Sequence, residues 1–344
     1  MTVLESQSDG AAPEPRAQSK SAVRSIILRA GITVALCTLL LWHLDIRDIG
    51  HRLAGLDYAW TAAALATVFV AIVLSAWKWG LILEARHHPL PYHRLLRHYF
   101  VGLFFNNLLP TSIGGDAVRA WETSKDTGEV PESVGSVLAE RLIAGVALGI
   151  TATIGLPFFP AMGSVLGMVA FFLVVNLALV GLFLNRKIAN TAVRTLLPER
   201  VAALRDVTSQ TLTAVEETLK MRGLFLKVFA LSIVFQISVA AVNACIFKAM
   251  GLNVSLAACI ILTPMIFTVT MLPISISGMG VREAAYWFFF SHVGVTQADA
   301  IVASLAFFVI VAVASLPGAA LFVHRSGTRR SPPTPVGEPQ TEAK

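Results

Sequence analysis

The chain has 344 residues and a formal net charge of +6, with 55% hydrophobic and only 14% charged residues. Mean hydropathy is +0.70. A soluble domain carries about 25% charged residues, so this composition excludes a soluble enzyme, a disordered protein and a disulfide scaffold. It leaves an all-α integral membrane protein with several spans.

Residues 1–23 are polar, with Pro13, Pro15 and Lys20, and read as a disordered tail. Residues 24–325 read as one polytopic transmembrane domain, and 326–344 as a second polar tail. A helix crossing a bilayer needs about 20 apolar residues. Runs near that length fall at 26–44, 59–83, 134–156, 161–184, 225–249 and 298–323. The run 26–44 follows Arg16, Lys20 and Arg24 and lacks an A-x-A cleavage site, so it is expected to be a retained span. Three further apolar stretches, 95–109, 255–272 and 283–293, are short and border segments rich in Pro, Gly and Ser.

Basic residues gather in the N-tail, in 84–97 (Arg86, Arg94, Arg97), in the loop 185–224 and in the C-tail. The gaps at 157–160, 250–254 and 294–297 have none. The positive-inside bias then places both termini in the cytoplasm, with an even number of crossings. Within 185–224, Val193, Leu196, Leu197, Val201 and Leu204 recur at helical spacing among basic residues. That pattern fits an amphipathic helix on the cytoplasmic leaflet or an ordinary linker helix. Lys78 and Glu84 near one span end, and Lys248 near another, are expected to snorkel to the interface. Trp42, Trp60, Trp77, Trp79 and Trp121 suit an aromatic belt.

The broken stretches hold an internal repeat. Residues 104–119 read FFNNLLPTSIGGDAVR and 267–282 read FTVTMLPISISGMGVR, aligned at a constant offset of 163 with eight identities in sixteen positions. Pro110 and Pro273 break the helix, and Gly114, Gly115, Gly278 and Gly280 permit unusual backbone angles or close approach. Broken backbone at membrane depth is tolerated only inside protein or along a polar cavity. Matched Pro/Gly-interrupted segments in two halves point to a transporter binding site. The orientation makes them re-entrant hairpins entering from opposite faces, an inverted repeat with six full crossings. A plain count of eight or nine separate segments is the alternative.

Ionisable groups inside spans mark functional sites. Here they are Asp116 and Arg119 after the first break, Arg282 and Glu283 after the second, and Glu140 with Arg141 in a full span. Arg119 and Arg282 are repeat equivalents, and two guanidinium forks at a pseudo-symmetric centre suit a phosphate. Ser112, Ser275, Asn106 and Asn107 join them as candidate substrate contacts. Helix starts after Gly115 and Gly280 would add backbone N–H donors. Structural ion pairing, Asp116 with Arg119 and a glutamate with the repeat-related arginine, is the competing reading. Gln236 and Asn243, seven apart on one face, read as helix-packing glue. His87, His88, His93 and His98 sit in a basic stretch without a carboxylate partner in sequence, so no metal is assigned. Gly145 and Gly149 suit either dimer or intramolecular packing.

The stretches NNLLPTSIGGDAVRAW, LAERLIAG and LPISISGMGVREA, in that order, resemble the transmembrane flippase-like region of lysylphosphatidylglycerol synthases, over roughly residues 25–325. The resemblance implies a bacterial or archaeal inner-membrane protein that moves a phospholipid or lipid-linked glycan between leaflets. The full synthases carry a soluble aminoacyl-transferase domain after the membrane part. Only ~20 polar residues follow Arg325 here, so that reaction is not assigned. No ATPase P-loop, cofactor motif or nucleic-acid motif is present in the sequence. The expectation is a non-enzymatic translocase that binds a headgroup phosphate between the two repeats. The alternatives are an intramembrane lipid-phosphate phosphatase using Ser112 or Ser275, and a membrane partner of a separate synthase or glycosyltransferase.

Overall fold

The computed structural model describes residues 46–109, 114–158, 163–185, 187–189, 191, 195, 202–271 and 278–328. The described elements are all helical. In chain order they are α1 (Ile46–Ala54), α2 (Tyr58–Ala85), α3 (Tyr92–Leu108), α4 (Gly114–Thr127) and α5 (Val130–Gly155). A short 3-10 turn, Leu156–Phe158, leads to α6 (Gly163–Leu184). Then come α7 (Ala202–Lys220), α8 (Arg222–Ala249), α9 (Leu256–Thr270), α10 (Val281–Ser291) and α11 (Gln297–Thr328).

Five of these segments are long and apolar enough to cross a membrane: Tyr58–Ala85, Val130–Phe158, Leu166–Leu184, Arg222–Ala249 and Gln297–His324. They coincide with five of the six full-length runs expected from hydropathy. The remaining run, 26–44, lies outside the described residues. So do Cys37, Trp42, the polar tails 1–23 and 329–344, and Pro110 and Pro273, expected to break helices, with Ser112 and Ser275.

Local chemistry sets the boundaries. Asp57 caps α2 by accepting the Trp60 N–H at 2.9 Å, and Ser255 caps α9 by accepting the Ala258 N–H at 3.1 Å. Pro131 occupies the first turn of α5, where no N–H is required. The most extensive packing joins α2 to α8. Fully buried Ala64 and Ala240 lie in the core these helices share, and small residues of this kind let helix backbones approach closely. Helix α5, with Gly135, Ala139, Gly145, Ala147, Gly149 and Ala152 buried, runs through the interior. Helix α6, mostly exposed along its length, is peripheral. The two meet at Gly145 and Gly149, where an added Cβ would strike Asn176 and Leu173. These glycines therefore serve packing within the chain.

The helix boundaries repeat. Moved by the 163-residue offset, 58–85 becomes 221–248, one residue from α8, and 92–108 becomes 255–271, enclosing α9. The packing repeats as well. Helices α2, α3, α4 and α5 correspond to α8, α9, α10 and α11. The contacts α2–α3, α3–α4, α4–α5, α2–α5, α2–α11 and α3–α11 each have their counterpart in α8–α9, α9–α10, α10–α11, α8–α11, α8–α5 and α9–α5.

Helices α3 and α4 form a tight antiparallel pair. His98 faces Asp126, Gly102 faces Gly115 and Arg119, and Asn106 faces Gly115. A Cβ on Gly115 would run into the Gly102 carbonyl, so glycine is required there for close approach. In the second copy Gly278 answers a different need, a positive φ of 73°. Helix α7 has its inner face, Ala214, Val215 and Leu219, buried against α5 and α8. Of the apolar residues expected on an amphipathic segment in this loop, Leu204 is exposed and the other four lie outside the described residues.

Candidate functional site

The charged residues of the first half converge where α2, α3, α4 and α5 meet. Arg119 on α4 donates to Glu140 on α5 at 2.7 Å, and both side chains are almost fully buried. Lys78 on α2 lies 3.2 Å from the other Glu140 oxygen and 3.3 Å from the Ser232 hydroxyl of α8. Arg141, one residue after Glu140, makes a two-pronged contact with Asp116, Nε and Nη2 donating at 2.7 and 2.8 Å. Asp116 is 3.6 Å from Arg119, which closes the chain of charges. The ion pairing expected between Asp116 and Arg119 is thus present, and the closer partner of Asp116 is Arg141.

Aromatic rings frame this network. The Arg119 guanidinium lies 4.7 Å from the Trp79 ring centroid and 5.0 Å from that of Tyr99. Stacking of this kind favours arginine over lysine. Trp79 donates its indole N–H to Ser136 at 3.1 Å, which fixes the ring. Arg119 Nε has no hydrogen-bond partner among the described residues.

Two sequence expectations are corrected here. Lys78 does not snorkel outward: it is 2% exposed and ion-paired to Glu140. It sits seven residues before the end of α2, about 10 Å along the axis, and the Glu140 carboxylate holds it inside. Trp79 is no belt residue, being fully buried beneath Arg119. Trp60, Trp77 and Trp121 are exposed, as the belt reading expects. Lys248 is exposed over the Trp60 ring at 4.6 Å.

Two cavities meet at the cluster. A small polar one, about 30 Å³, is lined by Asn106, Asp116, Arg119 and Arg141 together with Tyr99 and Leu103. A larger one, about 260 Å³, shares Tyr99, Leu103 and Arg141 and continues along apolar walls that include Ile72, Val239, Phe267 and Phe307. Its walls come from both halves of the chain. Arg141 lines this space and keeps 43% of its side-chain surface accessible. Gln236 also lines the larger cavity, whereas Asn243 is glue: it donates to Thr263 at 3.2 Å and accepts from Tyr286 at 2.8 Å. Asn106 accepts the Gly115 N–H at 3.3 Å, and Asn107 donates to Ser315 at 3.1 Å.

The repeat-equivalent Arg282 lies in a separate group on α10 and α11. It reaches its neighbour Glu283 at 2.8 Å and donates to Ser304 at 3.0 Å. Glu283 in turn accepts the Gly280 N–H at 2.6 Å. The helix start after Gly280 is thereby capped from within. The residues that gather at Arg119 and Glu140 are Lys78 and Arg141, with Trp79 and Tyr99 beside Arg119 and Ser232 beside Lys78. Lys78, five residues before the expected span end at 83, gave no sequence signal against snorkelling. Contact of Ser232 with Lys78 across 154 positions left no local signal.

Further from the cluster, His98 accepts or donates at 3.0 Å with Asp126, which also lies 3.5 Å from Arg97. The carboxylate partner that was not evident in sequence is therefore Asp126, 28 residues on. Arg86, at the end of α2, joins Glu132 of α5 at 2.6 Å and also pairs with Glu217 of α7, tying three helices at one end of the bundle.

Five apolar spans around an interior charged cluster define a multi-pass helical membrane protein with a buried polar site. Residues 26–318 match the lysylphosphatidylglycerol synthase TM region, and the chain belongs to that family. No curated protein matches the chain.

Proposed function

We propose that this protein is a translocase for a lipid or lipid-linked substrate. It would hold the negative headgroup at Arg119 and Arg141 while the apolar part occupies the adjoining cavity. The observation that carries this reading is the wall the two cavities share. A polar chamber edged by two arginines has Tyr99, Leu103 and Arg141 in common with an apolar space walled by both halves of the chain. An amphiphile has that same division.

The repeat supports the reading. Each half, counted with the 26–44 run, supplies three full crossings and one helix–break–helix hairpin, and an odd number of crossings sets the two halves in opposite orientations. Binding at the interface of inverted halves, with broken helices beside the site, is the arrangement that alternating access uses. Both termini then lie on the cytoplasmic side of a bacterial or archaeal plasma membrane, where Arg86, Arg94 and Arg97 mark the inner end of the bundle. Asp116, Glu140 and Glu283 are each held by an arginine or lysine, which favours binding over hydrolysis, since a general base must be free to take a proton.

The test is a leaflet-accessibility assay. The purified chain is reconstituted into liposomes carrying labelled anionic lipids, and an impermeant reagent reports movement between leaflets. Transfer that is lost in Arg119→Ala and Arg141→Ala supports the proposal. Release of labelled phosphate without transfer would replace it with the phosphatase.

A further inference from the structure

The cluster around Arg119 does not balance. Lys78, Arg119 and Arg141 are three cations, and Asp116 and Glu140 are two carboxylates. Lys125 pairs with Glu122 at 2.9 Å, and Arg282 pairs with Glu283 at 2.8 Å. The group at Asp126 lies at the other end of the α3–α4 hairpin, with His98, Arg94 and Arg97. A net charge enclosed in protein and lipid is unfavourable unless a counter-ion meets it.

The unspent positive charge has a location. Lys78 and Arg119 are buried against Glu140, whereas Arg141 lines both cavities and stays partly accessible, and Arg119 Nε lacks a partner among the described residues. Both arginines line the small polar chamber. The space beyond it is apolar.

We propose that the site accepts an amphiphile carrying one net negative charge, a phosphodiester or a carboxylate on an apolar body, and that Lys78 sets this count. The proposal deepens the translocase reading and rests on its placement of the headgroup. One anionic charge brings the cluster to neutrality. A second would stand uncompensated beside Asp116 and Glu140, where like-charge repulsion is strong because water is scarce. A zwitterion brings no net charge and leaves the imbalance in place. Lys78 touches neither cavity wall; it acts through Glu140, holding one of that carboxylate's oxygens so that the Arg119 charge is not fully consumed. It is a specificity-setting residue rather than a ligand contact.

Equilibrium binding to the full chain in detergent tests the count, separately from any movement of lipid. The probes are phosphatidylglycerol (a monoanionic phosphodiester), oleate, phosphatidate, phosphatidylcholine and inorganic phosphate. The wild-type chain should bind a monoanionic amphiphile at least about tenfold tighter than phosphatidylcholine. Lys78→Met makes the cluster neutral and should reduce that preference to within about twofold. The double variant Lys78→Met/Glu140→Gln leaves two cations against one carboxylate, and the preference should return. Asp116→Asn raises the excess to two, and binding of phosphatidate relative to phosphatidylglycerol should rise at least about fivefold; this arm serves if Lys78→Met does not fold.

Preference for phosphatidylglycerol alone identifies the phosphodiester as the source of the charge, and preference for oleate alone identifies the carboxylate; either supports the count. Inorganic phosphate binding as tightly as the lipids overturns the amphiphile. A preference unchanged in folded Lys78→Met, or not restored in the double variant, overturns the role of Lys78. Binding that follows the count without transfer between leaflets refutes translocation and leaves the charge rule standing. Transfer with binding indifferent to the count does the reverse.

Discussion

Arg119 and Glu140, 21 positions apart on consecutive helices, meet at 2.7 Å with both side chains almost wholly enclosed. Breaking a buried pair by removing one partner costs about 3–5 kcal/mol. Lys78 remains 3.2 Å from Glu140 when Arg119 is removed, so the glutamate is not left alone. Arg119→Ala should therefore destabilise the purified chain by about 3 kcal/mol, the low end of that range, while leaving it foldable. Lipid transfer should be lost. Arg119→Lys should restore stability only in part, because an ammonium cannot stack between Trp79 and Tyr99 as the planar guanidinium does. Thermal unfolding in detergent and the leaflet assay read the two effects. Equal stability of the lysine variant and wild type would show that the aromatic frame contributes nothing.

Gly115 and Gly278 occupy equivalent places in the two copies of the motif and are required for different reasons. At Gly115 a Cβ would run into the Gly102 carbonyl, so Gly115→Ala must push α3 and α4 apart. At Gly278 the nearest atom is 3.6 Å away and only the positive φ resists a side chain. Gly278→Ala should cost about 1–2 kcal/mol. Gly115→Ala should cost more and lower the yield of folded protein. Denaturation of both variants side by side checks the order, and the reverse order would mean that the hairpin opens easily.

The spans were legible because apolar length is a sufficient signal for crossing a membrane, and the paired breaks because Pro, Gly and Arg recurred in register. The candidate site was legible only in part. Asp116, Arg119, Glu140 and Arg141 were visible as charges where lipid penalises charge. Lys78 was assigned to the interface because snorkelling is the common fate of a lysine near a span end; Glu140 and Ser232, on other helices, hold it inside. Trp79 was assigned to the belt for a similar reason, and Ser136 and Arg119 place it in the interior. In each case the deciding partner is distant in sequence, and composition within one helix carries no trace of it.

Tyr286 donates to Asn243 at 2.8 Å, and Asn243 donates to Thr263 at 3.2 Å, joining α10, α8 and α9 in a buried chain. Hydrogen bonds between membrane helices contribute about 0.6 kcal/mol on average. Tyr286→Phe should lower stability by about 1 kcal/mol, since it also leaves the Asn243 carbonyl oxygen without its donor. Lipid binding should be unchanged, because none of the three residues lines the cavities beside Arg141. Thermal unfolding with a parallel binding measurement checks both halves; weakened binding would extend the functional site into this layer.

The repeat makes Arg282 the counterpart of Arg119, and a symmetric clamp would make the two equally necessary. Their surroundings differ. Arg119 shares its carboxylate with Lys78 and stands at a polar chamber with one nitrogen unpartnered among the described residues. Arg282 is paired with the adjacent Glu283 and bonded to Ser304, while Glu283 also holds the Gly280 N–H that opens α10. Arg282 is thereby committed to the start of its own helix. Arg282→Ala should accordingly lower thermal stability while reducing lipid transfer less than Arg119→Ala does, by about tenfold or more in the ratio of rates. Arg282→Lys should recover stability through the retained charge beside Glu283. Initial transfer rates for the four arginine variants, normalised to folded protein in the liposomes, decide between the two pictures. Equal losses at Arg119 and Arg282 would restore the symmetric clamp, with the second hairpin opening toward the substrate during transport.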